Sequence, residues 1–254
     1  MTGALSRLGM SIVAGCADFG NGKLTSNSLS LMGSYKWWWT MAETNTPMLV
    51  TLDHPLVVHK LSILRDKATP SYRFRQVLME LSWLLAYPTF AALKLDAVTI
   101  ETPLESMETG QLGSPAPCLV SILRAGNGLI DGFSQICPEA SVGHLGMYRD
   151  HETHKPVSYY TSLPSDIASR QVVLGDPMLA TGGSAIMAAQ KLVDMGVTDI
   201  VFACLVAAPE GVASFHDAFP SIPVFTAALD RQLNEDCYIM PGLGDAGDRI
   251  YGTD

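Results

Sequence analysis

The run Asp176-Pro177-Met178-Leu179-Ala180-Thr181-Gly182-Gly183-Ser184 carries the most specific chemical signal in the chain. It follows the apolar stretch Gln171 to Leu174 and precedes Ser184 to Met195, a predicted helix closed by Gly196. A strand that turns through Thr181, Gly182 and Gly183 into a helix builds an anion cup from backbone N–H groups and a helix N-terminus. Thr181 and Ser184 add hydroxyl donors. Asp176 repels an anion, so its place beside the cup suits the vicinal hydroxyls of a sugar, and the run reads as a ribose-phosphate holder. The plainer alternative is a Gly-rich turn with Ser184 as helix cap. The run matches neither GxxxxGK[ST], since Lys is absent, nor GxGxxG, so ATP hydrolysis and dinucleotide binding lose their usual support.

Three further places could do chemistry. Arg124 follows the apolar run Cys118 to Leu123 and precedes Ala125-Gly126, whose small side chains permit close approach to a ligand. Its planar fork suits phosphate oxygens, although a surface arginine in a turn is the competing reading. Arg149 opens a polar stretch, 148–160, that reads as an exposed hairpin or flap; alone it reads as a solvated charge. His144, His151 and His154 show no recurring ligand spacing, so a metal site there is not expected. The tail Tyr238 to Gly247 is too rich in Gly for a core strand. Backbone N–H and C=O groups in such a loop can read the edge of a planar base, and burial makes a mismatched edge costly.

The elements that must position these residues form an α/β alternation. Leu56 to Arg65 and Ser71 to about Ala86 have helical spacing, with Pro88 expected to stop the second helix. Residues 101–117 read as loop with short strands at most. Strands are expected at Cys118–Leu123, Val142–Met147, Gln171–Leu174, Ile200–Ala207 and Val224–Ala228. Helices are expected from about Leu129, over Ser184–Met195, and from Pro209 to about Phe219, with Pro209 in the first turn. Strands separated by such helices imply a mostly parallel central sheet flanked by helices, with ligands beyond the carboxyl ends of its strands.

Composition narrows the class. The chain has 254 residues, 48 % of them hydrophobic and only 16 % charged, a charge density that suits a chain with part of its surface in a subunit interface. Sixteen basic residues against twenty-five acidic ones leave a net charge of −9, which argues against nucleic acid as a partner. The five cysteines are widely spaced and lack CxxC, so reduced thiols in a cytoplasmic protein are expected rather than disulfides or a zinc ribbon. The longest apolar run, Ile200 to Ala208, is far short of the roughly 18 residues of a membrane span, so no membrane partner is expected. Residues 1–47 differ from the rest, with little charge, no sustained period and the triplet Trp37-Trp38-Trp39. Leu8 to Cys16 has the look of a weak lipoprotein-like signal. The same segment also reads as a poorly ordered extension, as sequence upstream of a start at Met41 or Met48, or as a place where the triplet docks on a partner subunit. Residues 48–254 form one expected domain.

DPMLATGGS at 176–184 resembles the phosphoribosyl-diphosphate (PRPP) motif of type I phosphoribosyltransferases, and more narrowly that of uracil phosphoribosyltransferases, where proline replaces the second acidic residue. HPLVVHKL at 54–61, SILRAG at 121–126, GMYRD at 146–150, LVAAPEG at 205–211 and YIMPGLGDAGDRIYGT at 238–253 resemble the same family, in order. Gly175 and Asn127 depart from it, both standing where an apolar residue is common; Gly175 is expected to weaken its strand end. The resemblance implies a type I phosphoribosyltransferase-like fold with a small base-binding hood and an exposed flap. It implies conversion of uracil and PRPP to UMP and diphosphate in pyrimidine salvage, with Mg2+ held mainly through PRPP. It places PRPP on Arg124, Arg149, Asp176, the 177–184 loop and Asp245, and uracil at Ile239, Gly244, Asp245 and Ala246, through the backbone at Ile239, Gly244 and Ala246. Asp245 falls near both PRPP and its metal, and Arg124, Asp176 and Asp245 are the expected catalytic residues. It allows GTP as an effector and favours a homo-oligomer. Transfer to hypoxanthine or orotate, and a PRPP-sensing regulator without turnover, are the competing functions; the tail motif argues against the first and the intact Arg124, Asp176 and Asp245 against the second.

Overall fold

The computed structural model describes residues 48–149 and 156–253. The readings made for residues 1–47, including Cys16 and the tryptophan triplet, and for His151 and His154 lie outside the described residues.

The chain begins with β1 (Leu49–Thr51), α1 (Pro55–Arg65) and α2 (Ser71–Thr89), then a hairpin of β2 (Leu95–Glu101) and β3 (Ser106–Leu112). The alternating part runs β4 (Cys118–Leu123), α3 (Gly126–Ile136), β5 (Ser141–Arg149), β6 (Pro156–Ser162), β7 (Val172–Gly175), β8 (Met178–Leu179), α4 (Gly183–Asp194), β9 (Ile200–Ala207), α5 (Pro209–Ala218) and β10 (Val224–Leu229). A small hairpin, β11 (Gln232–Leu233) and β12 (Ile239–Met240), and the short helix α6 (Ala246–Tyr251) follow. The main sheet has the order β1-β10-β9-β7-β4-β5-β6, with β8 paired to β9. All its pairings are parallel except β5 with β6, which form the expected outer hairpin.

Both faces of the sheet are covered, which is why the central strands read as continuous apolar runs. Every residue of β9 is buried. One face packs Leu119, Val173, Val201 and Phe225 against α1, α2 and α3. The other packs Val120, Leu174, Phe202 and Val224 against α4 and α5. Alternate residues of each strand thus serve opposite layers, the period-two geometry of a sheet.

Four expectations need correction. The helix α2 passes through Pro88 to Thr89; the proline removes one helical hydrogen bond close to the C-terminal end, and Phe90 N–H donates to the Ala86 carbonyl across it. The helix α3 starts at Gly126, three residues early, because its glycine-rich first turn shows no apolar period. Residues 95–112 form a paired hairpin; it is largely exposed, so burial leaves only a short pattern on it. Gly175 does not weaken its strand: a Cβ there would lie 2.8 Å from Ile130 Cδ1, so the glycine lets α3 settle on the sheet. Asn127 also finds a role, since its Oδ1 accepts from the buried Ser121 hydroxyl at 2.7 Å.

Gly128 and Gly132 lie one helical turn apart on α3 and set its distance from α2. A Cβ at Gly128 would meet Leu78 Cδ2 at 2.4 Å, and one at Gly132 would meet Ser82 Cβ at 2.4 Å. Gly132→Ala is therefore expected to destabilise the protein by about 1–3 kcal/mol through overpacking, despite the better helix propensity of alanine; urea unfolding of the purified variant measures this.

Candidate active site

Parallel strands deliver their following loops to one edge, and three segments meet there. Arg124 and Ala125 follow β4, Asp176 and Met178 follow β7, and Asp245 to Gly247 come from the tail; together they line an open cleft of about 220 Å³. The three residues expected to be catalytic are thus neighbours in space although separated widely in sequence.

Asp176 is set by its strand and its own turn. Its N–H donates to the Ala203 carbonyl of β9, and its Oδ1 accepts from Met178 N–H at 3.3 Å. Pro177 then gives its carbonyl to Leu205 and Val206 N–H, and Leu179 gives its carbonyl to Ala208 N–H, which pins the segment along β9. Burial raises the Asp176 carboxyl to about 7, helped by the like charge of Asp245 and opposed by the Met178 N–H.

The chain turns into α4 at Gly182, whose φ of +86° is the left-handed conformation glycine accepts without strain. Gly182, not Ser184, occupies the cap position, and no side chain caps this helix. The alternative of a serine-capped turn is thereby removed, and Ser184 lies in the first turn, whose N–H groups lack helical partners. Thr181 is exposed and Ser184 half-buried. Ala180, Thr181, Gly182 and Gly183 continue the loop beside the cleft rather than lining it. A residue not singled out from the sequence shapes it from below: a Cβ on Gly211 of α5 would lie 2.2 Å from the Ala180 carbonyl and 2.6 Å from that of Leu179. LVAAPEG thus ends in a glycine because the 179–182 loop rests on it.

Arg124 is exposed, and the Leu123–Arg124 peptide is cis. Its guanidinium lies 3.9 Å from Asp248 and 5.7 Å from the Tyr251 ring centroid. The Tyr251 hydroxyl donates to the Arg124 carbonyl at 2.9 Å. The arginine is held by weak, solvent-facing contacts, so its head group remains available to an anion. Arg149 ends β5 at the same edge.

The tail reaches the cleft through α6. Asp245 is its N-cap, accepting from Asp248 N–H at 3.0 Å. Gly244 is exposed with φ +73°, and Ala246 is a lining residue. Ile239 behaves differently: its side chain is buried in the core under the loop, and it is not on the cleft wall. Arg249, also unexpected from the sequence, holds this loop. It donates to the Leu243 carbonyl at 2.9 Å, to the Asp66 carbonyl at 2.7 Å and to that of Leu64, and it stacks 4.5 Å from the Phe74 ring centroid. The arginine in GDRIYGT was the available signal.

The family model for uracil phosphoribosyltransferase matches residues 50–253. This chain belongs to the uracil phosphoribosyltransferase family. A uracil phosphoribosyltransferase of Mesorhizobium japonicum is 54 % identical over 205 residues, 81 % of this chain and 98 % of the relative. One of Lactiplantibacillus plantarum is 54 % identical over 202 residues, 80 % and 97 % of the two chains. The solved structure of the AQ2163 protein from Aquifex aeolicus superposes with a TM-score of 0.76 at 35 % identity, covering 80 % of this chain and 98 % of that one. The fold expected from the resemblance is the fold observed, and the family match excludes residues 1–47, which read as different from sequence.

In this family member Asp176 in the cleft and Gly211 beneath the adjoining loop lend themselves to test. Asp176 binds its proton more tightly folded than unfolded, since its carboxyl rises from 3.8 to about 7. The resulting stability is present in full below about pH 4 and is lost as pH rises through 7. The melting temperature of wild type is expected to fall more than that of Asp176→Asn between pH 5 and pH 8 in a ligand-free thermal scan. Gly211→Ala is expected to displace the 179–182 loop and lower kcat/KM for PRPP by on the order of ten- to a hundredfold, read by initial rates.

Proposed function

We propose that this chain transfers the phosphoribosyl group of PRPP to N1 of uracil, giving UMP and diphosphate, as a pyrimidine-salvage enzyme. The observation that carries this reading is the meeting of Arg124, Asp176 and Asp245 around one cleft beside a Gly-rich helix entry, in a chain of this family. The 5′-phosphate takes the 180–184 loop and the N-terminus of α4. Asp176, as carboxylate, accepts from the ribose hydroxyls, with Pro177, Met178 and Leu179 fixing its turn. Arg124, with Arg149 from the outer hairpin, balances the charge that develops on diphosphate as its bond to C1 breaks. Backbone groups of the tail, at Gly244 and Ala246 with Ile239 beneath, orient the uracil edge so that N1 approaches C1 from the opposite side.

Among the described residues no group of three or more His, Cys, Asp or Glu is arranged to hold a metal. Asp176 and Asp245 nevertheless fit Mg2+ bound together with PRPP, because this ion favours one or two carboxylates plus substrate phosphates over an all-protein cage. Bound so, Mg2+ supplies positive charge to the diphosphate. The thiols fit a reducing, cytoplasmic setting: burial pushes Cys118 up to about 11 and Cys204 up to about 12, and the described cysteines are all unpaired. Low charge density, together with exposed Leu95, Leu104 and Met107 on the β2–β3 hairpin, supports a homo-oligomer. GTP as an effector rests on the family resemblance alone.

The test is UMP formation from labelled uracil and PRPP, with orotate and hypoxanthine in parallel. Product from uracil only, abolished by EDTA and restored by Mg2+, is expected; equal use of another base overturns the assignment. Paired assays with and without GTP decide the effector. Arg124→Ala is expected to lower kcat by on the order of a hundredfold or more, with uracil KM little changed, as for loss of a group acting on developing charge.

A further inference from the structure

The tail that reads the base has little apolar surface of its own, and one glycine decides its direction. Gly242 has φ +63°, and a Cβ there would lie 2.1 Å from the Ile239 carbonyl. Both polar backbone groups of this glycine are bound by a single ion pair brought from elsewhere. Arg65, in the last turn of α1, donates from Nη1 to the Gly242 carbonyl at 2.9 Å. Asp230, just past β10, accepts from Gly242 N–H on Oδ2 at 2.9 Å. The two side chains grip each other through Nη1–Oδ2 at 2.8 Å and Nη2–Oδ1 at 2.6 Å, the bidentate geometry that fixes orientation as well as distance. Asp230 is itself anchored, its N–H donating to the Ala207 carbonyl at the end of β9.

We propose that Arg65 and Asp230 are positioning residues for uracil: the pair locks Gly242 so that the following residues, Gly244 to Ala246, present one fixed set of backbone groups to the base. Neither residue lines the cleft, so both act through the loop. The Gly242 carbonyl is occupied by Arg65 and the Leu243 carbonyl by Arg249. These two acceptors are therefore engaged by the protein, next to the residues that meet the base. The phosphate loop and Asp176 hang from β7, β8 and α4, which the pair does not touch. Asp245 keeps its own anchor as the N-cap of α6, so loosening the pair should disturb base recognition far more than PRPP binding. This rests on the reading of the 239–246 segment as the uracil site.

The test is initial-rate kinetics on the full chain with Arg65→Lys, Arg65→Gln and Asp230→Asn. Lysine keeps the charge but loses the fork, and asparagine keeps the shape but loses the ion pair. Uracil KM is expected to rise about tenfold or more in Arg65→Gln and Asp230→Asn, with PRPP KM within about twofold of wild type. Arg65→Lys should fall between wild type and Arg65→Gln. Discrimination between uracil and cytosine should narrow in the same order, because the donor and acceptor pattern of the loop is no longer held. Parallel rises in both KM values, or a lowered melting temperature with unchanged kinetics, would show a merely structural pair and overturn the proposal. Arg65→Lys, a mild change on a partly exposed side chain, provides the reading if Asp230→Asn does not fold. A wild-type protein inactive on uracil would instead remove the proposed function, so the two failures are distinguishable.

Discussion

The segment from Gly242 to Tyr251 is held to the rest of the protein by arginines that bind carbonyl oxygens. Arg65 takes Gly242, Arg249 takes Leu243 together with the end of α1, and Arg75 of α2 takes Ile250 at 2.7 Å. Hydrogen bonds from a charged donor are stronger than neutral ones, and a guanidinium can satisfy several carbonyls at once. That matters here because a six-residue helix and its glycine-rich approach cannot be stable alone. Leu243, Ala246 and Ile250 are the apolar pegs that complete the attachment. Without these arginines the third wall of the cleft would lose its shape.

The other two walls depend on the parallel sheet. Because β4, β7 and β9 run the same way, the residues that follow each strand arrive at one edge without further design. Glycine then removes the side chains that would keep these loops apart. Gly126 approaches the Gly175 carbonyl so closely that a Cβ would sit 2.6 Å from it, and Gly211 does the same under Ala180. The arrangement is therefore a set of close backbone contacts, with few side chains placed between the loops. Tyr251 and Asp248 add direct links from the tail to the Arg124 loop.

Much of this was legible in the sequence because burial leaves a pattern. Ile200 to Ala207 is apolar throughout and is a strand buried throughout. Pro209 and Gly196 marked a helix start and a helix end, and both stand where expected. Arg124, Asp176, Asp245 and Ala246, which separate motifs singled out, meet at one cleft. What stayed hidden has no local pattern. The hairpin of β2 and β3 is largely exposed, so burial leaves only a short pattern on it. Gly175 looked like a defect, and only the packing of Ile130 against it shows why a side chain is excluded. Arg65 and Asp230 are 165 positions apart, and neither differs in sequence from an ordinary surface charge.

Burial and the like charge of Asp245 raise the Asp176 carboxyl to about 7. A ligand that donates hydroxyl hydrogens to it favours the ionised form and so expels a proton. For such a ligand, association is coupled to the solvent's proton reservoir by linkage, and its affinity would climb as the medium becomes more alkaline. The heat of association measured by calorimetry will include the ionisation enthalpy of whichever buffer accepts that proton. One half-buried carboxyl thereby makes the cleft a chemical reporter of its own occupancy.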